Sequence, residues 1–222
     1  MNPPPSPSTD LFRSLRPEKQ EKVFQAAVQE FAVNGYRNAS MNSVVRAAGI
    51  SKGSLFQYFR TKQALFDGVV EIASARVKRY LKQVRDETER LDFFERLEQL
   101  LYAGFRFIDR HHLLARIYFH LLHSGETPAG SERVTVLRRQ GVEFLADLIR
   151  VAMARGELRG SLDVERTAFL INALLETLLR AYYTEFMASG LGLYRGNPDE
   201  LARWVRSALD LIRTGVQRSE PE

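Results

Sequence analysis

Apolar residues recur three or four positions apart through almost every segment of this 222-residue chain, and that period constrains the fold more than any other feature. A helix returns to the same face every three to four residues, whereas a half-buried strand alternates every two. Phe24, Ala27, Val28 and Phe31 share one helical face, and Leu65, Phe66, Val69, Ile72 and Ala73 share another. No strand pattern with hairpin chemistry and no internal repeat emerges. The expected fold class is all-α.

Punctuation residues divide the pattern into helices. Pro17 suits a first helical turn and Gly35 a stop. Ser40 is placed to cap a short helix over 41–48, and Gly49 to end it in a left-handed turn. Ser51 is placed to cap another short helix ending near Phe59, and Thr61 a longer one. Further helices are expected near 91–109, 111–123, 131–155, 163–189 and 198–215. The breaks between them are "HSGETPAGS", "RGELRGSLD" and "SGLGLYRGN". The last helix has a clear start in Asn197, Pro198 and Glu200.

Composition excludes several classes. The chain contains no Cys, so disulfides and thiolate chemistry are out. It has no apolar run long enough to span a membrane, and "MNPPPSPSTD" has no apolar leader core. A flexible arm over 1–16 and a cytoplasmic location are the expectations. Charge is uneven. Residues 1–80 hold twelve Lys/Arg and six Asp/Glu, a net +6, whereas residues 81–222 hold twenty and twenty-one, a net −1. A basic first third points to a polyanion partner for that part alone.

Two short helices joined by a turn containing Gly make a helix-turn-helix, whose second helix enters the DNA major groove. In the second, Leu55 and Phe59 are four apart and face inward, leaving Lys52, Ser54, Gln57 and Tyr58 on the outer side. Gly53 lets a phosphate or base edge come close to backbone. Gln57 suits adenine, and Lys52 guanine or phosphate. Arg60 and Lys62 flank this face, Lys62 at the start of the next helix.

The stretch "SMNSVVRAAGISKGSLFQYFRTKQALF" closely resembles the DNA-binding region of TetR-family transcriptional regulators, with "AAVQEFAVNGY" similar to the family's first helix. Ser40, Ala47, Ala48, Gly49, Ser51, Lys52, Gly53, Leu55, Tyr58, Phe59 and Lys62 carry the match. Two residues depart from it. Phe56 stands where the family usually has Tyr, and Ser43 where an acid commonly closes a capping box, so the second helix should be capped less firmly. The resemblance implies a three-helix DNA-binding head over 17–78 and a larger helical body over 79–222 for dimerisation and ligand binding. The implied DNA-binding set is Ser40, Ser51, Lys52, Gly53, Ser54, Gln57, Tyr58, Arg60 and Lys62. The implied activity is sequence-specific regulation of transcription, as a repressor released from a double-stranded operator by an effector.

The body's sequence permits that role. The last two long helices carry Leu170, Leu174, Leu178, Trp204, Leu209 and Ile212, enough for half of an intersubunit four-helix bundle in a homodimer. Pocket-lining candidates are Tyr102, Phe105, Tyr118, Phe144, Leu148, Phe169, Asn172 and Glu176. Asn172 and Glu176 stand one turn apart in an otherwise apolar helix, and the expected effector is a lipophilic small molecule. The alternative is a metal-dependent helical hydrolase or a ligand carrier without DNA binding. Its basis is that His111, His112, His120 and His123 lie close together, with Asp109 and Glu126 nearby. No HExxH, Gly-rich phosphate loop or nucleophile elbow accompanies them, and neither a metal nor a cofactor is expected.

Overall fold

A computed structural model describes residues 11–123, 132–188 and 190–216. Among the described residues the main helices are, in order, α1 Pro17–Asn38, α2 Met41–Ala48, α3 Lys52–Tyr58, α4 Lys62–Glu87, α5 Phe93–Arg110, α6 His112–His123, α7 Glu132–Ala154, α8 Val164–Tyr183, a 3-10 turn Glu185–Ala188, and α9 Pro198–Val216. Among the described residues no strand forms, and none of the helices is long and apolar enough to cross a membrane.

The helices separate into two compact units. The first comprises Met1–Lys78 with His111–Ser131, and the second Arg79–Arg110 with Glu132–Glu222. The division is not the linear one of head 17–78 and body 79–222, because α6 packs against α1 within the first unit.

In the first unit, α1, α2, α3 and the start of α4 bury Val23, Phe24, Ala27, Val28, Val44, Leu55, Phe59, Leu65 and Val69. Two details hold this small core in register. Gly35 interrupts α1 at φ 68° and ψ 174°, which turns the chain toward α2. Gly68 lies against the Phe59 ring, where an added Cβ would stand 2.7 Å from Cε1. Phe12 and Arg13, expected within the arm over 1–16, are instead packed and paired in the first unit. Phe12 is only 1% exposed, and its ring centroid lies 5.0 Å from that of Phe59. Arg13 pairs with Glu71. An aromatic ring at the edge of a core is worth more buried than waving in water, which the Pro-rich composition just before it conceals. Residues 1–10 lie outside the described residues.

In the second unit, helix starts are firmly capped. Asp92 and Glu95 form a reciprocal capping box on α5, with the Asp92 N–H donating to Glu95 Oε2 at 3.0 Å and the Glu95 N–H to Asp92 Oδ1 at 2.9 Å. Asp163 caps α8 and Asn197 caps α9. α8 is the central helix, packing on α5 and α7. The Phe105 and Tyr182 rings pack tilted at 58°, 4.9 Å between centroids, and the Tyr182 hydroxyl donates to Asp109 Oδ1 at 2.8 Å. Burial first, and Asp109 second, push that phenol up to about 12.

Candidate nucleic-acid interface

The turn between α2 and α3 is built from its sequence. Gly49 closes α2 in the left-handed conformation at φ 64°, its N–H donating to Arg46 O, while the Ile50 N–H donates to Val45 O. Ser51 then caps α3: the Ser54 N–H donates to Ser51 Oγ at 3.1 Å, and the two hydroxyls lie 2.8 Å apart. α3 has only seven residues, too few to hold together without tertiary packing. Leu55 and Phe59 anchor it at 0% and 2% exposure.

Ser40 precedes α2 but makes no side-chain cap. Its N–H instead donates to Glu30 Oε1 at 2.8 Å. Glu30 on α1 therefore supplies the acid that Ser43 cannot. A contact between residues ten apart on different helices leaves no local sequence signal.

The outer surface of α3 is free of internal duties. Lys52, Gly53 and Gln57 are exposed, and Ser54 and Phe56 half-exposed. Gln57 and Arg60 have no polar partner among the described residues, and Lys52 only lies over the Phe56 ring at 5.6 Å. A Cβ on Gly53 would meet nothing within 4 Å. No neighbour in the protein requires glycine there, although glycine weakens a helix relative to alanine. Its space is open only toward the outside.

Two expected members of this face do other work. Tyr58 is 6% exposed rather than outward, its ring 6.0 Å from Phe12 and its hydroxyl accepting from Lys19 Nζ at 3.4 Å. It sits three residues after Leu55, so the helix carries both to the same buried side. Lys62 Nζ donates to the Arg37 carbonyl at 2.7 Å and lies 5.0 Å over the Tyr36 ring, tying the start of α4 to the end of α1. Lys19, Glu30 and Phe12 all support α2 or α3, and sequence reasoning singled out none of them for it.

The model for bacterial regulatory proteins of the tetR family matches residues 23–69, from within α1 to within α4. The chain is 24% identical over 214 residues to the HTH-type transcriptional regulator TtgR of Pseudomonas putida, covering 91% of this chain and 97% of that one. It is 27% identical over 164 residues to the HTH-type regulator YhgD of Bacillus subtilis, covering 73% and 83%. A solved TetR family regulator from Chloroflexus aurantiacus superposes with a TM-score of 0.69 at 25% identity, over 95% of this chain and 99% of that one. The chain carries a TetR-family DNA-binding domain over residues 23–69 and is similar along most of its length to TetR-family regulators. It is a DNA-binding transcriptional regulator and not an enzyme. TetR-family regulators bind DNA, dimerise and often bind small molecules.

The eight pocket candidates divide between the two units. Tyr118 belongs to the first unit, and the other seven to the second. Phe169 is 60% exposed, which corrects its expected place on the inner face of α8. It follows the buried Ala168 and precedes the buried Ile171, so the inner stripe passes on either side of it. Phe105 and Leu148 are core residues. Tyr102, Phe144, Asn172 and Glu176 are half-buried. The Asn172 amide lies over Gly141 of α7, where a Cβ would stand 2.9 Å from Oδ1.

Of the apolar residues expected at a dimer face, Leu178, Leu209 and Ile212 go into the chain's own core and Leu174 and Trp204 are half-buried. Leu170 stays 66% exposed, joined by Phe169 and Leu211. Among the described residues no three His, Asp or Glu side chains converge as metal ligands. The His123 side chain and Glu126 lie outside the described residues.

Proposed function

We propose that this regulator is a homodimeric repressor that a small-molecule effector releases from its operator. The observation that carries the reading is the outer surface of α3, where Lys52, Gly53 and Gln57 are exposed and a Cβ at Gly53 would meet only open space. α3 enters the major groove from its N-terminal end, with Gly53 admitting the DNA. Gln57 reads a base edge, while Lys52, Arg60 and the hydroxyls of Ser51 and Ser54 meet phosphates. Ser40 and Tyr58 act behind this surface, positioning α2 and α3. DNA recognition resides in residues 17–78, although α6 packs with them.

Dimerisation through α8 and α9 covers the exposed Phe169, Leu170 and Leu211. It sets two α3 helices one turn of DNA apart, roughly 34–36 Å. The effector is lipophilic and binds in the second unit beside Phe144, Asn172 and Glu176, half-buried residues of the α7–α8 contact. It acts by linkage: tenfold release requires about 1.4 kcal/mol of preference for the non-DNA form. A regulator of this kind works in the cytoplasm, where a bacterial chromosome lies.

Mapping bound sites across the source genome, followed by gel shifts on those sites, tests the reading. Two-fold symmetric sites with half-sites about 10 base pairs apart, and raised transcription of the neighbouring genes when the chain is deleted, are expected. Lowered transcription on deletion would contradict repression. A monomer at micromolar concentration by sedimentation would contradict the paired-groove arrangement.

A further inference from the structure

A cavity of about 210 Å³ lies in the first unit between the end of α1 and one face of α6. An engineered cavity of about 150 Å³ walled by Leu, Ile and Phe accepts benzene, so this one has room for a single ring with a substituent. Its apolar walls are Phe31 and Phe66 on one side and Ile117 and Leu121 on the other, each less than one-tenth exposed. Phe31 and Phe66 meet edge to face at 4.9 Å, leaving an aromatic surface that favours another ring.

The basic side chains of the lining are all on one side. Arg116 and His120 both line the cavity from α6, one turn apart and exposed. Arg116 makes no hydrogen bond or ion pair with any described residue. A guanidinium with its fork unused, beside an apolar slot, suits the two oxygens of a carboxylate. The opposite wall carries Tyr36, whose phenol is held above its usual range by burial first and by Asp67 second, so it stays neutral. A ligand therefore lies with its carboxylate toward α6 and its ring toward Phe31 and Phe66.

We infer that this cavity is a binding site for small single-ring aromatic carboxylates, held by Arg116 at the acid and by Phe31, Phe66 and Ile117 at the ring. α6 packs with the first unit, yet its chain continues into the second at both ends. A ligand that bridges α1 and α6 strengthens that packing, so occupancy stabilises the first unit. The site is independent of the effector site assigned to the α7–α8 contact, and its test requires no DNA.

The test uses the full chain and benzoate, followed by methyl NMR of Ile117 and Leu121 and by calorimetry. A ligand of this size should bind with a Kd of about 10 mM or lower. Saturable shifts at Ile117 and Leu121 are expected. Benzamide, which lacks the charge, should bind at least about tenfold more weakly, and Arg116→Gln should weaken benzoate by at least about tenfold while leaving the unfolding midpoint of the free protein unchanged. Arg116 is exposed and unpaired, so the variant folds. No shift by about 50 mM benzoate, undiminished binding by Arg116→Gln, equal binding of benzamide, or saturable shifts confined to the second unit would each overturn the assignment.

Discussion

α3 and α8 both carry polar residues between apolar anchors, yet the two helices use them in opposite ways. On α3, Lys52 and Gln57 project from a helix whose inner face is already complete with Leu55 and Phe59. On α8, Asn172 is turned inward against Gly141, while Phe169 and Leu170 face out. A polar residue that the fold does not use is available to a partner. A polar residue seated over a glycine serves helix packing first, and any ligand must share it. The exposed side of α3 is therefore open to the proposed DNA contacts, whereas the exposed side of α8 is apolar and suited to a second protein surface.

The largest expected effect comes from disturbing the support beneath α3. Gly68→Ala drives a methyl into the Phe59 ring, which Phe12 holds from another side. Overpacking of this kind costs about 1–3 kcal/mol, and chemical denaturation should register it as a lower midpoint with operator affinity reduced in parallel. Unchanged stability would mean that Phe59 has room to move and that α3 is not rigidly backed.

Gln57→Ala should come next. It removes the proposed base contact without touching the core, so preference at one base pair should relax by about 1–3 kcal/mol in a binding-site selection, with stability unaltered. An unchanged specificity profile would remove Gln57 from the readout.

The helical segments, the α2–α3 turn and its two caps were legible in the sequence because each rests on residues within a few positions of one another. Gly49, Ser51, Asn197 and Pro198 act locally, and the structure places them accordingly. Contacts between distant segments were not legible. The Glu30 cap on Ser40, the Phe12 anchor and the docking of α6 on α1 join residues with no periodic relation. Tyr58 and Phe169 illustrate the same limit from two sides. The first is amphipathic and turned inward, the second apolar and turned outward, and only the neighbouring helices decide which.

The two lysines at helix starts separate recognition from support on a finer scale. Lys52→Ala should lower the dependence of log affinity on log salt by about 0.9 per site and leave stability alone. Lys62→Ala should lower that slope by a similar amount, because two of its three ammonium hydrogens remain available to a phosphate. It should also reduce stability by about 1 kcal/mol through loss of the Arg37 tether. Equal stability of the two variants would show that the tether contributes nothing.

A small net change in stability is expected at Gly141→Ala. The new methyl displaces the Asn172 amide but gains helix propensity, so the net change should stay within about 1 kcal/mol. Release of operator by effector should nevertheless weaken if Asn172 orients the ligand. An unaltered response would assign Asn172 to packing alone.

Gly53→Ala tests the central claim most directly, because it separates what the fold needs from what DNA needs at one atom. Open space surrounds the added Cβ, and alanine favours the helix, so thermal unfolding should show stability equal to that of the parent or up to about 1 kcal/mol higher. Operator affinity measured on the same preparation should fall by at least about tenfold, since the methyl stands where the DNA must approach. Retained affinity with retained stability would contradict the account, as it would mean that nothing comes close to the start of α3 when this regulator binds its site.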